Sequence, residues 1–314
     1  MLHENPLISI VIPIYNEVQV LPETLNRLEG LRALFDGHAD LEFVFIDDGS
    51  KDESGELIQA WLCNEIRGAL LVFSRNFGHQ IAISAGIDHA KGDFVAVIDA
   101  DLQDPPELIF DMFEKAKEGY HIVYGKRRTR QGESWFKLLT AKIFYKVMHA
   151  LTDIDIPTDT GDFRLISRQV ADNFKQMRER HRFVRGMIPW LGFKAYALEY
   201  DREKRFAGET KYPLRKMVKF AGEAILSFSS RPLGLAVRLG VFFIMIGLIG
   251  LAYILYLKLF TDIVVAGLTT ILFTIVTFSG LQVFLIGIVG SYIALIFESS
   301  KKRPLYVIAT KIEN

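Results

Sequence analysis

Four residues within six positions could together do metal and phosphate chemistry: Asp99, Asp101, Gln103 and Asp104, in the stretch FVAVIDADLQDPPE at residues 94–107. Three carboxylates packed within a few ångströms repel one another unless a cation sits among them, and hard oxygen ligands suit Mg2+ or Mn2+. Such ions keep part of their shell for waters and substrate phosphates. A D-x-D of this kind equally suits an acidic turn capping a helix that starts near Pro106. Its chemistry therefore depends on what the rest of the chain brings beside it.

The run Phe94-Val95-Ala96-Val97-Ile98 reads as a buried strand delivering those groups at its end. Residues 7–14, LISIVIPI, form a near-continuous apolar run of the kind covered on both faces, with Tyr15-Asn16-Glu17 at its carboxyl end and a helix to follow as far as about Leu34. Residues 41–46 repeat the pattern, stopping at Asp47-Asp48-Gly49-Ser50, with Lys51-Asp52-Glu53-Ser54 opening the next helix. Residues 69–73 lead to Ser74-Arg75-Asn76-Phe77-Gly78 and a helix through His89. Strands alternating with helices predict an α/β fold with a mostly parallel sheet flanked by helices, whose ligands bind beyond the carboxyl ends of the strands. Polar residues at four strand ends would then share one crevice. By type, Tyr15 can offer a ring face to a base, Asp48 can accept from a base N–H, and the turn amides near Gly78 can face a phosphate. Taken singly, Tyr15 also suits a core, Asp48 an N-cap and Gly78 a turn.

A further strand, Ile122-Val123-Tyr124-Gly125, ends in Lys126-Arg127-Arg128-Thr129-Arg130, either a phosphate grip or a solvated basic loop. Trp135, Leu138, Leu139, Ile143, Val147, Met148 and Leu151 recur at helical spacing, interrupted by Lys137, Lys142 and Lys146, which suits a membrane-interface helix or plain core packing. After a loop containing Pro157 comes Thr160-Gly161-Asp162-Phe163-Arg164, where Asp162 could be an N-cap or a general base. Arg202, Lys204, Arg205 and Lys211 surround a segment containing Gly208 that could close over a diphosphate leaving group or be a mobile surface loop.

Lys plus Arg and Asp plus Glu are both 37 in 314 residues, so nothing in the balance points to nucleic acid. Cys63 is the only cysteine, which excludes a disulfide framework and a thiolate metal site. Glu4 precedes a short apolar run broken by Pro13, and no secretory signal is expected. The charge is distributed unevenly: residues 231–297 hold only Arg231, Arg238, Lys258 and Asp262. Leu214, Met217, Val218, Ala221, Ile225 and Phe228 share one face of a second interfacial helix. Residues 239–257 and 263–297 are 19 and 35 positions without a charge, each enough to cross roughly 30 Å of hydrocarbon. Two transmembrane helices are thus expected. Arg231, Arg238, Lys301, Lys302 and Arg303 outweigh Lys258, which puts both termini on the cytoplasmic side. Gly280, Gly287 and Gly290 could let helices approach closely within or between subunits, and a homo-oligomer is expected. The layout is then a catalytic domain over 1–212, an interfacial helix over 213–232, a two-helix hairpin over 233–300 and a tail over 301–314.

Three segments, SIVIPIYNE from Ser9, IDDGS from Ile46 and DADLQDPPE from Asp99, resemble the signatures of family 2 glycosyltransferases with the GT-A fold. The third is most similar to the polyprenyl-phosphate sugar transferases, bactoprenol glucosyltransferases and dolichol-phosphate mannose synthases among them. The resemblance implies that Pro13, Tyr15, Glu17, Asp48 and Gly78 bind the nucleotide sugar, that Asp99 sits near ribose and metal, and that Asp101 and Gln103 ligate the ion. It makes Arg127 the acceptor-phosphate ligand with Lys137 as a second, and matches the family's Arg-x-x-Gly-x-(Ser/Thr)-Lys loop at Arg205, Gly208, Thr210 and Lys211. It sets Asp162 beside the reacting sugar. A lipid phosphate, with a second pKa of about 6, is already largely deprotonated at neutral pH, so Asp162 could be a base, orient the sugar or stabilise an oxocarbenium charge. The function implied is inverting transfer of a sugar, glucose from UDP-glucose first, to polyprenyl (undecaprenyl) phosphate at the cytoplasmic membrane face. Transfer of GlcNAc, mannose or an aminoarabinose-type sugar, or a non-catalytic nucleotide-binding membrane assembly subunit, are the alternatives. A processive polysaccharide synthase would carry Gln-x-x-Arg-Trp, which this chain lacks.

Overall fold

Strand β1 (Leu7–Ile14) is buried from Ile8 onward, as an apolar run covered on both faces must be. It pairs in parallel with β2 (Asp40–Asp47) on one side and β4 (Phe94–Val97) on the other, and β2 pairs in parallel with β3 (Gly68–Phe73). Helices α1 (Leu21–Phe35), α2 (Ser54–Leu62) and α3 (His79–His89) make the crossovers, and α4 (Leu108–Lys117) leads to β5 (Ile122–Arg127). The next elements are β6 (Thr160–Ser167), α5 (Arg168–Gln176), α6 (Val184–Trp190) and β7 (Ala195–Tyr200). These come from a computed structural model that describes residues 5–128, 160–180, 182–201, 231–260 and 267–314.

The chain divides into two units, the first comprising Met1–Tyr145, Ile154–Leu214 and Arg303–Asn314. Its sheet runs β7-β5-β6-β4-β1-β2-β3-β8, where β8 is Ile308–Glu313. Four of the seven neighbouring pairs are parallel; β6 is antiparallel to both β4 and β5, and β8 is antiparallel to β3. On one face Leu21, Leu28 and Phe35 of α1, Trp61 of α2 and Met112 and Phe113 of α4 pack with Ile10, Ile12, Phe43 and Phe45. Each of the fully buried large side chains contributes roughly 1.5–3 kcal/mol. On the other face α3 presses on β1 through Gly86, where an added Cβ would lie 2.1 Å from a methyl of Val11. Only glycine permits that approach, and it fixes the height at which the helix's first residue, His79, meets the strand ends.

The expected tail after residue 300 is instead the eighth strand. Tyr306 stacks on Phe73 with ring centroids 5.2 Å apart and donates to Asp88 Oδ2 at 3.0 Å, where Arg178 also pairs at 2.7 Å. An antiparallel strand laid on β3 covers an edge that would otherwise expose unpaired N–H and C=O groups.

The second unit contains α7 (Arg231–Phe260) and α8 (Leu268–Ser300), where Phe243 of α7 meets Phe278 of α8 with centroids 5.9 Å apart. Large apolar side chains stand exposed on both helices, among them Phe242, Ile249, Phe284 and Ile293. A helix apolar all round suits either the core of a large protein or a membrane span. One described segment, Phe278–Ser300, has the length and mean hydropathy (23 residues, 2.1) of a membrane span, whereas the apolar stretch of α7, Ala236–Gly250, is shorter. The expectation of two clear spans is corrected to one among the described residues; Arg238 near its start limits the apolar stretch of α7. The expected helices over 135–151 and 213–230 lie outside the described residues; of the interfacial segment 213–232 only Arg231 and Pro232 are described.

Candidate active site

The loops after β1 and β2 are laced together by their own short polar side chains. Asn16 N–H donates to Ser50 Oγ (3.0 Å), Lys51 N–H to Asn16 Oδ1 (2.8 Å) and Glu17 N–H to Ser54 Oγ (3.1 Å). This holds Tyr15, 43 % exposed, at the end of β1 beside Asp48, which is 3 % exposed at the end of β2. A buried carboxylate must find donors. The amides of Phe77 and Gly78 supply them, at 2.6 Å to Oδ1 and 2.9 Å to Oδ2. Burial raises the Asp48 pKa, and those two amides oppose the rise. The Gly78 amide, offered by the sequence to a phosphate, donates here to Asp48, and Gly78 shapes the loop that secures it.

Thr160 to Arg164, where a helix N-cap was one of the two expectations for Asp162, is the start of strand β6, inserted between β4 and β5. Val97 pairs with Arg164, so extending the register by two residues puts Asp162 opposite Asp99. His79, opening α3, bridges them, with Nε2 3.4 Å from Asp99 Oδ1 and 3.3 Å from Asp162 Oδ2. Arg185 of α6 grips Asp162 side-on, Nε to Oδ1 at 3.0 Å and Nη2 to Oδ2 at 2.8 Å, and Gln80 Nε2 adds a bond at 3.2 Å. Arg164, fully buried, donates to the carbonyls of Asp162 (3.2 Å) and Gly161 (2.9 Å), which fixes the backbone beneath. Burial lowers its pKa to about 10. Although burial favours the neutral acid, Arg185 and His79 hold the Asp162 carboxyl well below the usual range. Burial likewise disfavours the imidazolium of His79, but Asp99 and Asp162 outweigh it and push the pKa up to about 9. Asp99 is raised by burial and by the carboxylates of Asp162, Asp101 and Asp104, against the pull of His79.

At the end of β5, Arg127 lies beside Asp104, its Nη2 3.9 Å from Oδ1, and Asp104 is fully buried and accepts from Tyr200 of β7. Gly161 makes room: an added Cβ would sit 2.8 Å from Arg127 Nη2. The third carboxylate of the opening cluster thus pairs with the basic end of β5.

Among the described residues no three His, Cys, Asp or Glu side chains converge closely enough to hold a metal ion. The donor set still suits a hard cation bound through one or two carboxylates plus substrate phosphate. Asp99 Oδ1 is buried without a hydrogen bond, and Asp101, 8 % exposed, accepts from the Gln103 backbone N–H at 3.2 Å. Lys137, Arg205 and Lys211 lie outside the described residues. Sequence reasoning did not find His79, Gln80, Arg185 or Tyr200. His79 had a signal, since it follows directly on a strand-end loop; Arg185, in a seven-residue helix without a chemical motif, had none.

The model of glycosyl transferase family 2 matches residues 9–174, more than half of the chain. The chain belongs to glycosyl transferase family 2. The matched span runs from β1 into α5 and includes Tyr15, Asp48, His79, Asp99, Asp101, Arg127 and Asp162. The chain is 48 % identical over 300 residues to the uncharacterized glycosyltransferase YkcC of Bacillus subtilis, covering 96 % of this chain and 92 % of that one. It is 37 % identical over 304 residues to a prophage bactoprenol glucosyl transferase homolog of Escherichia coli, with 96 % and 98 % covered, and 37 % identical over 304 residues to the bactoprenol glucosyl transferase of Shigella phage SfV, with 96 % and 97 % covered. As a family 2 enzyme it is a glycosyltransferase that moves a sugar from a nucleotide-sugar donor on an α/β sheet of the GT-A kind.

Proposed function

We propose that this enzyme transfers a sugar, glucose from UDP-glucose in the first instance, to polyprenyl phosphate at the cytoplasmic face of a membrane, with inversion at the anomeric carbon. The observation that carries the reading is the union, in one chain, of the acidic and basic strand ends with an apolar helix suited to lipid. Relatives named as bactoprenol glucosyl transferases, aligned over almost the full length, support the same acceptor class.

Strands before α7 and after α8 belong to one sheet, so any bilayer crossed between them is crossed an even number of times. One apolar helix of spanning length is evident among the described residues, and on this reading a second crossing is required of the shorter apolar stretch of α7. Both termini then share the catalytic side, and the basic residues flanking the pair put that side in the cytoplasm.

In the reaction, Tyr15 stacks on the base and Asp48 accepts from it, with Pro13 and Glu17 shaping the ribose side. Asp99, Asp101 and Gln103 would hold Mg2+ or Mn2+, which supplies charge to offset the donor's diphosphate. An oxygen of the lipid phosphate, held by Arg127 with Lys137, attacks the anomeric carbon. The bond from that carbon to the diphosphate oxygen breaks, and its electron pair leaves with the nucleoside diphosphate. Arg205 and Lys211 meet that growing charge. The acceptor phosphate is already ionised at neutral pH, so the step needs no proton acceptor.

Purified full-length protein incubated with radiolabelled UDP-glucose, Mg2+ or Mn2+ and undecaprenyl phosphate tests the reading. Label entering the lipid phase supports it. No lipid-linked label from any UDP or GDP sugar in a donor panel would sink it.

A further inference from the structure

The two amides that hold Asp48 come from a loop whose first residues, Ser74, Arg75 and Asn76, are exposed. Phe77 N–H nonetheless stays at 2.6 Å and Gly78 N–H at 2.9 Å from the Asp48 carboxylate. The turn after Asp48 rests on the same loop: an added Cβ on Gly49, whose φ is +73°, would lie 2.6 Å from the Arg75 carbonyl carbon. What sets the height of residues 74–78 therefore also sets the height of Asp48.

The C-terminal segment supplies that support at two points. Val307 O accepts from Ser74 N–H at 3.0 Å, which fixes the loop where it leaves β3. Tyr306 lies flat on Phe73, with an interplanar angle of 15°, and Phe73 meets Phe77 edge-on with ring centroids 5.5 Å apart. The Arg75 guanidinium closes the row, 3.9 Å from the centre of the Phe77 ring. Contact thus runs from Tyr306 through Phe73 to the residue whose amide meets Asp48 Oδ1. The Tyr306 ring is anchored at its far end, since its hydroxyl donates to Asp88 Oδ2 of α3 at 3.0 Å.

The pairing of β8 with β3 shifts register at this place: Val72 faces Thr310 and Phe73 faces Ile308, so Ala309 is one residue extra. Such bulges end regular pairing and re-aim side chains beside functional sites. Tyr306 itself precedes the first paired residue, Ile308, so covering the β3 edge does not require it.

We propose that Tyr306 is a positioning residue for the nucleotide end of the donor site, acting through Phe73 and Phe77 on the amides that hold Asp48, so that donor affinity depends on a segment that follows α8 in the chain. This rests on the reading of Asp48 as the acceptor of a base N–H. Leucine at 306 would fill part of the space but offer no flat face, and Phe73 would turn into the room left and take Phe77 with it. A displacement of about 1 Å in a group that holds substrate is enough to show in kinetics.

The test compares wild type, Y306F, Y306L, F77L and the Y306L/F77L pair, full length in detergent, with D48N as the reference. It measures UDP-glucose and undecaprenyl phosphate KM, UDP binding by calorimetry and thermal unfolding. Y306L should weaken UDP binding and raise the donor KM about 3- to 10-fold, the worth of an aromatic pair. Its acceptor KM and kcat should stay within about twofold of wild type. Y306F keeps the flat ring, so its donor KM should stay within about twofold although the lost hydroxyl lowers the unfolding midpoint. The pair should bind UDP within about twofold of the weaker single variant, because both substitutions break one row. A Y306L that unfolds earlier yet binds UDP as wild type does overturns the proposal, as does a Y306F as weak as Y306L or a pair whose effects multiply. If Y306L does not fold, Y306M is read on the same criteria. If D48N loses UDP binding and Y306L does not, the nucleotide reading stands and this one fails. If Y306L weakens UDP binding as expected and no donor yields lipid-linked sugar, this one stands and the transfer reading fails. A D48N that binds UDP as wild type does overturns the base assignment and this proposal together.

Discussion

Gly161→Ala is the sharpest probe of how the acceptor side is built. The added methyl would lie 2.8 Å from Arg127 Nη2, against an ordinary carbon-to-heavy-atom contact of about 3.5 Å, so the guanidinium must retreat by roughly 0.7 Å. The backbone cannot give way instead, because Arg164 holds the Gly161 carbonyl at 2.9 Å. A retreat of that size stretches an N–H···O bond from about 2.9 Å to about 3.6 Å, beyond useful hydrogen bonding. The lost contact to a charged phosphate is worth roughly 1.5–3 kcal/mol, or about 10- to 150-fold in acceptor KM. Stability should barely change, since the displaced atom is the end of a side chain that is 21 % exposed. Steady-state kinetics with undecaprenyl phosphate varied at saturating donor, alongside thermal unfolding, measure both. An acceptor KM within about threefold of wild type, in an assay where Arg127→Ala shows its full effect, would refute the reasoning, as would a selective rise in donor KM.

Asp101→Asn should cost on the order of 100-fold or more in turnover and abolish metal-dependent nucleotide binding while leaving the unfolding midpoint near wild type, which metal titration followed by calorimetry checks. Tyr200→Phe removes the hydroxyl that serves the fully buried Asp104 and should destabilise the protein by about 1–3 kcal/mol in denaturant unfolding. His79 has a folded pKa of about 9 against 6.5 in the unfolded chain, so its contribution to stability is complete below about pH 6.5 and is lost as pH rises toward 9. In chelator, the stability difference between wild type and His79→Gln should therefore shrink across that window; a difference independent of pH from 6 to 9.5 contradicts the protonated bridge.

Much of the first half was legible because its strands are apolar runs that end on polar residues. Residues 7–14 read as a strand and form β1 with those bounds, and the same logic located β2 to β5. The failures have a common physical cause. Strand β6, TGDFRLIS, carries an Asp and an Arg at buried positions, and charge in a central strand reads as loop unless the partners are known. Those partners, His79 and Arg185, sit on α3 and α6. Strand β8 was hidden differently: IATKIE follows a membrane-like segment, and only pairing with the far upstream β3 makes it a strand.

The sheet order also explains why the site has two electrical halves. Read across the strand ends, the residues run Asp48 on β2, Tyr15 on β1, Asp99 and Asp101 on β4, Asp162 on β6 and Arg127 on β5. Neighbouring strands lie about 4.8 Å apart, so the four steps from β2 to β5 span roughly 19 Å. On the proposed reading this lays a nucleotide sugar along the sheet edge, base first and sugar last, and brings an acceptor phosphate to meet it from the far end. The acidic half takes a cation with the diphosphate, and the basic half takes an anion. Between them lies β6, the strand whose position chain order does not reveal, since it pairs with β4 across the intervening α4 and β5. Its buried Asp162, neutralised by His79 of α3 and Arg185 of α6, lets the two halves stand one strand apart without its own charge being left unpaired in the protein interior.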